Sequence, residues 1–148
     1  MQSEKKDKTI ITTKRVFNYS VEKVFEAFLN PLHIKEWFGP KEFTNGRVML
    51  TPEAGGNIDI EMITPKGTIW MKGVFTEIIL YKKIEYRFRY VPDTPDVGES
   101  LVCFYFSSNG NETEVELVQT IFKFIGTEGR TKGWEAGFDK IEILLQNI

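Results

Sequence analysis

The 148 residues carry 19 Lys and Arg against 21 Asp and Glu, a formal net charge of −2, and 41% of them are hydrophobic. That balance supplies no electropositive field for nucleic acid or for an anionic membrane surface. One cysteine excludes an internal disulfide framework and a Cys-rich metal site, and one histidine excludes a multi-histidine zinc centre.

In chain order, the charged start (Met1 to Lys8) has no apolar segment behind it, so it reads as a mobile tail rather than a signal peptide. No apolar run approaches the ~20 residues that span a bilayer. The expected setting is cytoplasmic, with no membrane partner and with Cys103 as a free thiol. Residues 9–17 are rich in β-branched side chains and predict a strand. Ser20 is a natural N-cap, and Val21, Val24, Phe25 and Phe28 follow it at helical spacing. Asn30-Pro31 then starts a second short helix that carries Leu32, Trp37 and Phe38 and stops at Gly39-Pro40.

From 42 to 124 the pattern is that of strands, near 42–51, 56–64, 67–79, 82–91, 100–108 and 112–124. Pro65-Lys66-Gly67 and Asn109-Gly110 are tight-turn sequences, so neighbouring strands should form antiparallel hairpins. Ile84, Tyr86, Phe88 and Tyr90 alternate with Lys83, Glu85, Arg87 and Arg89, which gives one covered face and one wet face. Val115, Leu117, Gln119 and Ile121 form a similar inner face later in the chain. Strand 100–108 is apolar on both sides, Leu101, Cys103 and Tyr105 against Val102, Phe104 and Phe106. Either a bulge shifts its register or a partner covers its outer side, which would make a homodimer. In the last segment Trp134, Phe138, Ile141, Leu145 and Ile148 form a single apolar helical stripe. About 18 residues at 1.5 Å each give a helix of ~27 Å, matching a strand of eight residues at ~26 Å. The order predicts an α+β fold of one domain over 9–148, with this helix along the concave face of a curved sheet.

Lys14-Arg15-Val16-Phe17 with Ser20 to Phe28, Asn30-Pro31 through Trp37-Phe38-Gly39-Pro40, the Gly55-Gly56 pair, Gly73 to Ile78 with Lys83 to Tyr86, Thr113 to Leu117, and Gly133-Trp134-Glu135 with Phe138 together resemble the START-like (SRPBCC) superfamily. Within it, the sequence is most similar to small bacterial proteins related to the C-terminal domain of the heat-shock-protein-90 ATPase activator. The resemblance implies the helix-grip fold: a curved antiparallel seven-stranded sheet around a long C-terminal helix, with two short helices after the first strand. It also implies a hydrophobic cavity between sheet and helix.

That cavity would be lined by Tyr86, Phe88, Tyr105, Leu117 and Gln119 from the sheet and by Trp134, Phe138 and Ile141 from the helix. Trp37 and Phe38 would stand near its mouth. The alternative is a solid core in which Tyr86 and Gln119 bond to their surroundings. Gly133 and Gly137, one turn apart around Trp134, either allow close packing or leave room for a ligand.

The carboxylate pairs Asp59/Glu61, Glu114/Glu116 and Glu135/Asp139 fall opposite the apolar faces, and His33 reads as a surface residue. Asp93, Asp96 and Glu99 share a proline-containing loop and read as turn formers, so no metal and no cofactor are expected. The expected function is non-enzymatic binding of a small hydrophobic molecule. The resemblance implies two alternatives. One is a chaperone partner with an associated role in stress response; the other is cyclase/aromatase-like chemistry resting on Tyr86, Tyr105 and Gln119.

Overall fold

Among the described residues, side-chain alternation and turn chemistry produce seven strands and three helices in the order β1 (Thr9–Phe17), α1 (Val21–Ala27), α2 (Pro31–Trp37), β2 (Thr44–Leu50), β3 (Asn57–Thr64), β4 (Gly67–Ile79), β5 (Lys83–Val91), β6 (Ser100–Asn109), β7 (Glu112–Ile121) and α3 (Arg130–Gln146). The structure is a computed structural model and describes residues 8–92, 98–123 and 129–148. The tail before Lys8, together with Asp93 and Asp96 of the acidic loop, lies outside the described residues.

All strand pairs are antiparallel, and the sheet order is β1-β7-β6-β5-β4-β3-β2. Consecutive strands from β2 to β7 are neighbours, as hairpin turns dictate, and β1 closes the far edge beside β7. The short helices start where their caps place them. The Ser20 hydroxyl accepts from the Lys23 N–H, and Asn30 Oδ1 accepts from the Leu32 N–H at 2.9 Å, with Pro31 in the first helical turn. Both caps satisfy N–H groups that a helix start leaves without partners.

The inner faces of the strands, α1, α2 and one side of α3 enclose the core. Ile58, Ile60, Met62, Met71, Phe75, Ile84, Tyr86, Phe88, Val102, Phe104, Phe106, Val115 and Leu117 supply the sheet side. α3 supplies Phe138, Ile141 and Leu145, all fully buried, from the predicted stripe; Trp134 is partly buried, and Ile148, past the end of the helix, is 49% exposed. Trp37 anchors α2 to α1 by donating from Nε1 to the Ala27 carbonyl at 2.8 Å, and its ring packs on Phe28 and Phe38. Arg15 of the edge strand pairs with Asp139 at 2.9 Å and Glu142 at 3.4 Å, fixing the helix over β1.

β6 departs from expectation on its outer side. Cys103 points outward yet is only 4% exposed, because Lys83, Glu85 and Tyr105 of the same chain surround it. Burial there pushes the Cys103 thiol up from its ordinary value. The outer side of β6 is therefore covered within the chain at Cys103. Among the described residues, no helix is long and apolar enough to cross a membrane.

Candidate functional site

α3 does not lie flush on the sheet along its whole length. Near its N-terminus the helix, the α2–β2 connection and the ends of β3, β5 and β7 enclose a cavity of about 300 Å³. Its apolar wall is Phe38, Phe43, Met62, Ile121 and Trp134, with Pro40 and Gly133 at the rim. Its polar groups are Tyr90, Gln119 and Arg130.

The two helix glycines prove to have different tasks. A Cβ on Gly137 would touch the Trp37 ring at 3.4 Å, so this glycine allows close helix packing. A Cβ on Gly133 would meet only Pro40 Cγ at 3.6 Å, and Gly133 borders the cavity. One glycine is for contact and the other leaves space.

Gln119 answers the question of how an amide sits on an apolar face. Its Oε1 accepts from Trp134 Nε1 at 2.7 Å and its Nε2 donates to Ser100 Oγ at 3.2 Å. Gln119 thus holds the Trp134 indole as one wall of the cavity, and both ends of its amide are engaged. Tyr90 reaches the cavity from β5. Burial pushes its hydroxyl up to about 12, against the opposing pull of the nearby Arg130 charge.

The connection that forms the outer wall is tied to the helix by Lys140. Its ammonium donates to the carbonyls of Gly39 (3.2 Å), Pro40 (2.8 Å) and Phe43 (3.2 Å). Desolvation lowers the Lys140 pKa, with Glu42 opposing that shift. Asn45 braces the same connection, donating from Nδ2 to the carbonyls of Lys35 and Phe38 at 3.0 and 2.9 Å.

Of the ten residues expected from the sequence, the structure brings Phe38, Gln119 and Trp134 to the cavity. Tyr86, Phe88, Leu117, Phe138 and Ile141 are buried in the packed core beyond it, and Trp37 is core rather than mouth. Tyr105 requires a correction: it is 41% exposed on the outer face of the sheet, with the Lys83 ammonium 5.6 Å from its ring centroid. Its strand is apolar on both sides, so alternation alone could not say which side faces in. Of the polar groups considered for catalysis, Tyr105 is therefore outside. Tyr86 lies within the core, its hydroxyl pushed up by burial, and Gln119 is committed to structural hydrogen bonds.

Phe43, Met62 and Arg130 were not singled out by sequence. Met62 was findable, because Ile58, Ile60 and Met62 alternate on one face of β3. Phe43 sits in a connection and Arg130 at a helix start, where no periodicity signals an inward direction.

The carboxylate pairs are surface features. Asp59 meets Lys72 at 3.8 Å, Glu114 meets Lys14 at 4.0 Å, and Asp139 meets Arg15. Glu61 is held below its usual range by hydrogen bonds from Arg47. On the wet face of β5, Lys83 bonds Glu77 at 2.6 Å and Arg87 bonds Glu99 at 2.9 Å, so both cations are ion-paired. The latter pair also engages the one carboxylate of the acidic loop that falls among the described residues. His33 is half-buried on α2, and its Nδ1 has no partner among the described residues.

Residues 18–146 match the model of the family described as activator of Hsp90 ATPase homolog 1-like protein. Solved structures with the same fold include a Chromobacterium violaceum protein at TM-score 0.83 and 22% identity, covering 94% of this chain and 98% of that one. A Rhodobacter sphaeroides protein superposes at TM-score 0.82 and 17% identity, covering 93% of this chain and 92% of that one. A protein from Arthrobacter aurescens follows at TM-score 0.81 and 16% identity, covering 97% and 88% respectively. A search of curated proteins found no match. The seven-stranded sheet gripping α3 and the family match over nearly the whole chain place this protein in the activator of Hsp90 ATPase homolog 1-like family, on the START-like helix-grip fold.

Proposed function

We propose that the chain is a non-enzymatic binding protein that holds a small apolar molecule in the cavity beneath the N-terminal half of α3. The observation that carries this reading is the space itself: about 300 Å³ walled by Phe38, Phe43, Met62 and Trp134, directly beside a core of fully buried side chains. Protein interiors are close-packed, and an apolar space with a few placed polar groups is the usual form of a ligand site. The engaged amide of Gln119 supports binding over catalysis, because its hydrogen bonds fix the wall instead of facing a reacting group.

The test uses the neutral fluorophore N-phenyl-1-naphthylamine with the wild-type chain and Gly133→Leu, whose side chain would occupy the space. Wild type should show saturable one-site uptake, and the variant should lose it while keeping its circular dichroism and melting profile. Absence of uptake by wild type, or equal uptake by both, would overturn the reading.

A chaperone-directed role is the second reading, supported by the family match, and stimulation of a cognate Hsp90 ATPase tests it.

A further inference from the structure

We propose that the ligand of this cavity is a compact apolar molecule bearing one carboxylate, whose acid group is held by Arg130 and Tyr90; this rests on the binding reading above and specifies its chemistry. Arg130 lines the cavity, yet it makes no ion pair or hydrogen bond among the described residues. Of the other arginines, Arg15, Arg47 and Arg87 each meet a carboxylate, and Arg89 is exposed on the wet face of β5. Arg130 is also the first residue of α3, where its charge adds to the positive end of the helix dipole instead of opposing it. The N-cap is Gly129, which makes no side-chain cap, and the first turn contains no acidic residue. Local energetics therefore run against a cation at this position, and a bound anion relieves the conflict.

Tyr90 borders the same cavity, close enough to Arg130 to feel its charge. With its hydroxyl pushed up to about 12, Tyr90 stays protonated at neutral pH and can donate to an anion. No Asp or Glu among the described residues lines the cavity. A guanidinium grips one carboxylate through two parallel hydrogen bonds, which matches one arginine to one acid group. The rest of the wall, Phe38, Phe43, Met62 and Trp134, suits a hydrocarbon or aromatic body. At about 300 Å³ the space lies at the small end of ligand sites.

The test compares decanoate with decanol, an equally apolar but uncharged partner, by displacement of N-phenyl-1-naphthylamine from wild type, Arg130→Met and Tyr90→Phe. Decanoate should displace the dye from wild type about tenfold or more better than decanol, as expected for a hydrogen-bonded charge. Arg130→Met should abolish that preference, and Tyr90→Phe should reduce it in part. Equal displacement by the two compounds, no displacement by either, or a preference that survives Arg130→Met would overturn the carboxylate assignment while leaving the cavity reading in place. Failure of wild type to take up the dye at all would overturn both.

Discussion

The two halves of α3 meet the same sheet in different ways. Toward its C-terminus, Phe138, Ile141 and Leu145 are fully buried, with Phe138 edge-on to Phe17 at 5.9 Å. Toward its N-terminus, Trp134 makes edge contacts with Phe38 at 6.0 Å and Phe104 at 5.7 Å but leaves a cavity at its side. Both halves carry the same apolar spacing, so the stripe does not distinguish them. The opposing surface does. Trp37 of α2 meets the helix at Gly137, where the closed half begins, whereas Gly133 and the braced connection 38–43 border the open half. In one half a large side chain provides stability; in the other it shapes a space.

The largest test of that division is truncation on each side. Phe138→Ala should cost ~3–5 kcal/mol in urea denaturation, the usual penalty for emptying a packed aromatic site. Trp134→Ala should cost less than half as much, because the indole borders space already open. Equal costs would show that the two halves are packed alike.

Lys140→Met probes the wall of the open half next. Three carbonyls would lose a charged donor, at a cost of about 2 kcal/mol, and amide exchange should accelerate in 39–43 before it does in the closed half. Exchange unaltered in that connection would mean that Asn45 alone secures it.

An alkaline titration is a gentler probe. Tyr90 keeps its proton to about 12 when folded and loses it near 10 when unfolded, so the unfolded chain binds fewer protons between those values. Stability should therefore fall as pH rises above 10, with the raised hydroxyl of Tyr86 adding in the same direction. Tyr90→Phe should make the fall less steep in pH-dependent melting; an unchanged slope would mean that Tyr90 is not shielded from water.

The smallest expected effect separates the glycines. Gly133→Ala should stabilise the chain by up to ~1 kcal/mol through helix propensity, since its Cβ meets nothing closer than 3.6 Å. Gly137→Ala should gain less, because its Cβ would stand 3.4 Å from Trp37, at the near edge of ordinary contact with no room to spare. A larger gain at Gly137 would reverse the roles assigned to the pair.

Much of the fold is legible in the sequence. The alternation of Ile84, Tyr86, Phe88 and Tyr90, the Ser20 and Asn30 caps and the stripe from Trp134 to Leu145 each report a local geometry that the structure contains. Tyr105 shows where alternation fails: with apolar residues on both sides of β6, period two no longer identifies an inner face. The cavity is harder still. Phe43, Tyr90, Arg130 and Gly133 lie on a connection, a strand and a helix start, far apart in the chain, and each has a bland local reading.

The sequence alone thus determined the elements, their order and the side of α3 that turns to the sheet, because side-chain periodicity and turn chemistry act over a few residues. Tertiary structure decided that the grip is closed at one end of the helix and open at the other. That outcome depends on which side chains from distant elements meet across the same few ångströms, and on the one glycine that leaves the gap unfilled.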